Sequence, residues 1–304
     1  MTSAIKPRTL ETYQKARSDY IDFAIAHGLS PLFPVSSTDL GYYVAYLFSQ
    51  KKPHGSIMGQ LSAISYFHKI DNLADPQDCD FIKKLTTSIK KLLPSVDHRQ
   101  AVDLRVLDLL LIELGNMSLS SYDQSLYSAM FLLSYWGCLR VGEIVKSNSK
   151  ENVIQFHQLK GHVKKGKVTG FTLKFESYKH SHTITKPSQD KPVLPSLKIS
   201  EKPKLKFCPV KWLTKYLALR GNSPGQFFLH QDGAIVTYDH FSKMMKKCLS
   251  LANFEPKLFG THSFRIGRTT DLSKQGFSDT EIRIMGRWKS DAFKTYIRPN
   301  VIYV

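Results

Sequence analysis

The sequence predicts a mainly α-helical chain with one small sheet, an α+β arrangement divided between two domains. Three observations predict it. Apolar residues recur at helical spacing through the first ninety or so positions. A stretch poor in apolar residues and rich in Pro, Ser and charge, around Pro94-Ser95-Val96-Asp97-His98-Arg99-Gln100, then interrupts them. Beyond it, helical texture surrounds one β-leaning region of short segments punctuated by Gly, Lys and Pro.

In order, the first helix runs from Thr9 to His27, with Tyr13, Ala16, Tyr20, Phe23 and Ile25 near one face and Gly28 as its stop. A second starts at Ser37 or Thr38 and carries Leu40, Tyr43, Val44 and Leu47 as far as the break at Pro53. A third, from about Ser56, carries Ile57, Leu61, Ile64 and Phe67, and a fourth follows Pro76 through Phe81, Leu85, Ile89 and Leu92. These make a helical domain over 1–94, joined by a linker at 95–101 to a domain over 102–304. There, Asp103–Leu114 and Tyr122–Trp136 read as strongly apolar helices, and Val153 to about Ile199 reads as strands. Pro209–Leu219, Tyr238–Ala252 and the chain after Thr261 are helical again.

Charge narrows the function classes. Lys and Arg number 43 against 25 Asp and Glu, a formal net charge of +18, which suits a polyanionic partner. From Lys160 to Arg220 there are fifteen Lys or Arg and three acids (Glu176, Asp190, Glu201), interleaved with Phe171, Phe175 and Tyr178. That pattern predicts a basic sheet face laid along a phosphate backbone. The N-terminal residues lack the apolar core of a signal peptide, and no apolar run approaches the roughly 18–20 residues a membrane span needs, so the chain reads as soluble and intracellular. Cys79, Cys138, Cys208 and Cys248 are widely spaced and read as reduced thiols. The pairs His157/His162 and His180/His182 have no cysteine or acidic cluster beside them, so we expect no metal and no cofactor.

Three segments carry residue types suited to phosphate chemistry. In Gly137-Cys138-Leu139-Arg140-Val141-Gly142-Glu143, an arginine stands where a helix begins. Its planar fork matches two non-bridging oxygens of a phosphate, and Glu143 falls on the same helical face to orient it. By itself, Arg–Glu at this spacing is most often a surface ion pair. In Thr261-His262-Ser263-Phe264-Arg265-Ile266-Gly267, Thr261 reads as a helix N-cap. His262 and Arg265 then share the first turn, a proton-transfer group beside a second phosphate clamp. The bland alternative is a capped helix with a buried histidine. In Gly286-Arg287-Trp288-Lys289-Ser290-Asp291-Ala292-Phe293-Lys294-Thr295-Tyr296-Ile297-Arg298, Ser290 reads as the cap of a helix with Tyr296 in its third turn. Arg287, Lys294 and Arg298 would surround the tyrosine with positive charge, favouring phenolate and the approach of a phosphate. The short helix ahead of it opens on the capping-box pattern Ser278-Asp279-Thr280-Glu281.

The ordered set Arg140…His262-x-x-Arg265…Trp288…Tyr296 resembles the tyrosine recombinase family. Its wording is most similar to the eukaryotic retrotransposon branch, the DIRS- and Ngaro-like elements. Gly59-Gln60-Leu61-Ser62-Ala63-Ile64-Ser65-Tyr66-Phe67-His68 likewise resembles that family's helical core-binding domain, so the resemblance spans nearly the whole chain. It implies a core-binding (SAM-like) domain, a linker and a catalytic domain with an antiparallel sheet, closing as a C-shaped clamp on double-stranded DNA. It also implies a site-specific recombinase or integrase that cuts and rejoins DNA through a 3′-phosphotyrosyl link, serving integration of a mobile element in the nucleus. Homodimers on each site would assemble into a homotetramer, and no metal would take part.

By the same resemblance Tyr296 is the nucleophile, Arg140 and Arg265 bind the phosphate, and His262 stands beside the second arginine. Trp288 occupies a position where many relatives carry a second histidine. The family's hairpin lysine matches Lys179 best, in Tyr178-Lys179-His180-Ser181, with Lys174 and Lys186 as rivals. Two other classes fit the same residues: a DNA-binding descendant without cleavage, and a type IB topoisomerase-like DNA relaxer.

Overall fold

The structure is a computed structural model and describes residues 5, 7–93, 97–146, 153–176 and 196–298. The chain divides into two compact units, residues 1–97 and 98–304.

The first unit is helical. Helix α1 spans Pro7–Ala26, α2 Ser37–Ser49, α3 His54–Ile70 and α4 Asp80–Leu92, with a 3-10 turn at Pro76–Asp78. Ser36 caps α2 by accepting from the Asp39 N–H at 3.0 Å. The apolar stripes meet as the sequence predicts at Tyr20, Phe23, Leu40, Tyr43, Leu61, Ile64 and Ile89, with Ile82 joining them in place of Phe81. Ile25, Phe81 and Leu92, counted with those stripes, are instead exposed at 64%, 55% and 66%. Buried His68 accepts from the Val35 N–H at 2.9 Å and bonds the Ile64 carbonyl at 2.8 Å, which satisfies both ring nitrogens inside the bundle. Lys83, Lys84, Lys90 and Lys91 line the exposed side of α4.

The second unit is built around α6 (Ser121–Trp136), in which every residue from Ser125 to Tyr135 is buried. Helix α5 (Leu104–Asn116) starts at Asp103, which accepts from the Val106 N–H at 2.9 Å. Ala101, at the end of the stretch read as a linker, is buried, and Gln100 donates to the Leu258 carbonyl at 2.7 Å. A short α7 (Val141–Ile144) leads to three antiparallel strands in the order β1-β2-β3, at Leu159–Lys164, Lys167–Lys174 and Ser196–Ser200. Lys165 and Gly166, at φ of +50° and +73°, form the two-residue turn between β1 and β2.

Alternation along β2 sends Phe171 and Leu173 into the core, with Phe175 just beyond the strand, where they meet Ile199 of β3 and residues of α6 and α8. This corrects one expectation. Phe171 and Phe175 are not interleaved with the lysines on an outer face; Lys160, Lys164, Lys165, Lys167, Lys174 and Lys198 stand there without them. An aromatic ring gains about 1.5–3 kcal/mol by leaving water, while a lysine ammonium loses far more, and the pleat separates the two.

Helices α8 (Pro209–Arg220), α9 (Tyr238–Leu251), α10 (Ser263–Lys274) and α11 (Asp279–Met285) follow, and a 3-10 helix spans Asp291–Tyr296. The Ser278–Glu281 capping box of α11 forms as its sequence predicts. Helix α10 is pinned from two sides. Asp271 accepts from Tyr135 of α6 and, at 2.9 Å, from the Leu104 N–H at the start of α5. Gly267 lets α10 lie directly on the backbone before α5: a Cβ there would stand 1.8 Å from the Val102 carbonyl oxygen. Gly267→Ala should therefore force the two segments apart and cost about 3 kcal/mol. Thermal unfolding would show this as a midpoint lowered by about 6–12 °C.

Candidate active site

The three segments singled out in the sequence come together in the second unit. The first is set by the end of α6. Gly137 caps that helix, and Cys138 takes a left-handed φ of +45°, so that Arg140 becomes the residue preceding α7. Its N–H donates to Glu143 Oε2 at 2.8 Å, and the Glu143 N–H donates back to the Arg140 carbonyl at 2.8 Å. The Arg140 guanidinium lies 3.4 Å from Glu143 Oε1. Burial rules out an ordinary surface pair: the Glu143 side chain is 4% exposed and that of Arg140 21%.

The second segment departs in detail from expectation. His262, not Thr261, precedes the first residue of α10, and its ring makes no cap hydrogen bond. Ser263 tightens the turn instead, its hydroxyl accepting from the Gly260 N–H at 3.0 Å. The His262 ring is directed at Tyr296, with Nε2 3.2 Å from the phenolic oxygen. One turn further on, Arg265 is 1% exposed. It donates to the Cys138 carbonyl and, at 2.7 Å, to the Gly286 carbonyl, so it bridges the other two segments. Its guanidinium stacks on Trp288 at 4.0 Å and lies 6.0 Å from the centre of the Tyr296 ring. Burial, and then the like charge of Arg140, push its pKa down to about 10. Its Nε–H is buried without a hydrogen-bond partner.

The third segment wraps over these. A Cβ on Gly286 would stand 1.4 Å from the Trp288 ring, so glycine is what lets the indole fold back against its own loop. The expected α-helix from Ser290 is a six-residue 3-10 helix, and Tyr296 is its last residue rather than a member of a third turn. Phe293 is the residue of this helix that is buried, too short an apolar stripe to support a longer one. The end is tied to α10 instead: Thr270 donates to the Tyr296 carbonyl at 3.3 Å and accepts from the Arg298 N–H at 3.0 Å.

The ring of cations expected around Tyr296 forms differently. Lys294 pairs with Asp279 at 2.9 Å and Asp291 at 3.2 Å, and Arg298 donates to the Thr295 carbonyl at 2.6 Å. Arg287 turns to Glu143 at 2.8 Å, donates to the Gly137 carbonyl at 3.1 Å and covers the Phe175 ring at 4.2 Å. Among the described residues, the guanidinium that lies over the Tyr296 ring is that of Arg265. Sequence reasoning missed this role of Arg287 because the residue takes φ of +56°, which no local pattern announced. Lys179 and Lys186 lie outside the described residues; Lys174 ends β2 and is exposed. His157 pairs with Glu176 and His162 with Thr172, each at 2.7 Å.

The site thus holds three guanidinium groups, one buried carboxylate and a histidine–tyrosine pair. Such a cluster favours an anion beside the phenolic oxygen. No family model matches the chain, and no curated protein matches it in sequence. Solved structures do match in fold. The Tn1549 transposon integrase in complex with transposon right end DNA aligns with 98% of this chain and 92% of its own, at TM-score 0.62 and 13% identity. A lambda integrase dimer bound to a COC′ core site aligns over 97% and 90%, at TM-score 0.59 and 16% identity. XerH site-specific recombinase bound to palindromic difH substrate aligns over 87% and 69%, at TM-score 0.59 and 11% identity.

The fold is that of the tyrosine recombinases. Its helices and three-stranded antiparallel sheet are the framework on which the cluster around Tyr296 is mounted.

Glu143→Ala would leave the Arg287 guanidinium, 5% exposed, without its carboxylate. We expect a loss of about 3–5 kcal/mol in denaturant unfolding, as for other broken buried pairs.

Proposed function

We propose that the chain is a site-specific DNA recombinase or integrase that cleaves and rejoins duplex DNA through a 3′-phosphotyrosyl intermediate on Tyr296. The observation that carries this reading is the Tyr296 hydroxyl, 3.2 Å from His262 Nε2 and beneath the buried guanidinium of Arg265. With Nε2 unprotonated, His262 accepts the phenolic proton as the tyrosine oxygen attacks phosphorus. The bond from phosphorus to the 5′-oxygen breaks, and that oxygen takes a proton, from Lys179 in this reading. Rejoining is the reverse: a 5′-hydroxyl attacks the phosphotyrosyl link and the proton returns to Tyr296. One phosphodiester is exchanged for another, so no nucleotide need be hydrolysed.

Arg140 and Arg265 act on the negative charge that gathers on the non-bridging oxygens in the pentacoordinate transition state. The unpartnered Nε–H of Arg265 and its lowered pKa support this role. A buried cation crowded by a second cation is stabilised when an anion arrives, and more so as that anion gains charge. Trp288 holds the Arg265 guanidinium flat from one side.

Double-stranded DNA is the partner proposed. The exposed lysines of α4 and of β1–β2 would meet phosphates, contacts that position a duplex without reading its sequence. A role in mobile-element integration, action in the nucleus, and assembly as a dimer on each site and a tetramer in synapsis complete the reading. They rest on the resemblance of Arg140…His262-x-x-Arg265…Trp288…Tyr296 to the family's retrotransposon branch.

A duplex carrying a nick next to the cleavage site traps the covalent stage, because the short 5′ fragment diffuses away. Wild-type protein should give an adduct that survives denaturation. Tyr296→Phe should remove it while leaving DNA affinity within about threefold, since one hydroxyl is lost from a contact surface built on many phosphates. An adduct that persists in Tyr296→Phe would move the nucleophile to another tyrosine, and no adduct with wild type would leave a DNA-binding protein without cleavage. Relaxation of supercoiled plasmid without joint products would point to a topoisomerase.

A further inference from the structure

Arg287 has no part in the reaction as described so far, yet it is among the most constrained side chains around the site. Its backbone is left-handed at φ +56°, and its side chain is 5% exposed. Its guanidinium is held by three elements: Glu143 before the end of α7, the Gly137 carbonyl at the end of α6, and the Phe175 ring beyond β2. An exposed arginine beside the tyrosine would have met no such demands.

The way Glu143 divides its two oxygens gives this arrangement a chemical meaning. Oε2 accepts from the Arg140 N–H and from Arg287, both at 2.8 Å. Oε1 faces the Arg140 guanidinium at 3.4 Å, a longer and weaker contact. The carboxylate therefore gives its tightest charged contact to Arg287 and a loose one to Arg140. Arg140 is also the more exposed of the two, at 21% against 5%.

We propose that Arg287 is a positioning residue that neutralises Glu143 and so leaves the Arg140 guanidinium available to the scissile phosphate. Without Arg287, the carboxylate would draw Arg140 into a close bidentate pair, and the phosphate would have to compete with it. Glu143 is needed where it is because its oxygen caps the Arg140 N–H and fixes the corner on which Arg140 stands. Arg287 lets it do so without withdrawing the charge. The proposal rests on the recombinase reading above, since it assigns Arg140 to a phosphate.

The test uses single-turnover cleavage of the nicked duplex at saturating protein, alongside DNA affinity, for the full chain. Arg287→Met should slow covalent adduct formation by about 10–100-fold, the range for weakening one positioned electrostatic donor, with DNA affinity within about threefold. Arg287→Lys keeps a cation beside Glu143 but loses the fork that also reaches the Gly137 carbonyl, so it should be slowed less than Arg287→Met. The decisive variant is Glu143→Gln in the Arg287→Met background. The amide oxygen can still accept from the Arg140 N–H, but the competing charge is gone, so the rate should recover at least about fivefold.

Recovery by Glu143→Gln is not expected if Arg287 is merely a structural strut, because the contacts to Gly137 and Phe175 stay lost. Failure of that recovery, a wild-type rate in Arg287→Met, or a slowing matched by lost DNA binding would each overturn the proposal. No adduct with the wild-type chain would overturn the recombinase reading itself, which keeps the two failures distinct.

Discussion

A buried guanidinium group has to be given partners, and two of them, on Arg265 and Arg287, organise the second unit around the site. Arg265 bonds one carbonyl after α6 and another after α11, while Arg287 bonds the end of α6 and the carboxylate of Glu143. Each would be costly to bury without those partners. The same bonds that satisfy the charges therefore fix Arg140, Trp288 and Tyr296 relative to one another. The cluster keeps an excess of positive charge, and that excess is what a phosphate would use.

The surroundings are arranged to hold this charge still. Gly267 brings α10 onto the backbone before α5, and Asp271 fastens the same helix to Tyr135 and Leu104. Gly286 lets Trp288 fold back over Arg265. Thr270 ties down the end of the 3-10 helix that carries Tyr296. Several of these segments are short or irregular where they meet the site, and α10 holds two of them, through Arg265 to the Gly286 carbonyl and Thr270 to the backbone at Tyr296 and Arg298. Preorganisation of this kind is worth more in a water-poor site than the same contacts would be at the surface.

Much of this was legible in the sequence because it was local. Helical periodicity marked the first four helices, and the Ser278–Glu281 pattern marked the start of α11. The wording of three segments was enough to single out Arg140, His262, Arg265, Trp288 and Tyr296, which the fold brings into one place. What was not legible depends on partners distant in sequence or on unusual backbone. Arg287 and Glu143 are 144 residues apart, and φ of +56° sends the arginine away from the tyrosine it neighbours in sequence. Phe171 and Phe175 look like part of a basic face until strand pairing shows which side of the sheet is covered. The segment ending at Tyr296 carries a helix's cap but too few apolar residues to hold an α-helix.

In the proposed reaction the phenolic oxygen of Tyr296, 3.2 Å from His262 and under the Arg265 guanidinium, is where a DNA phosphate would become attached. Peptide mass spectrometry of the trapped protein–DNA complex tests it most directly, with fragmentation to locate the attached nucleotide. A nucleotide 3′-phosphate is expected on Tyr296. A nucleotide located on Tyr178 or Tyr303, or on a serine or histidine, would contradict it.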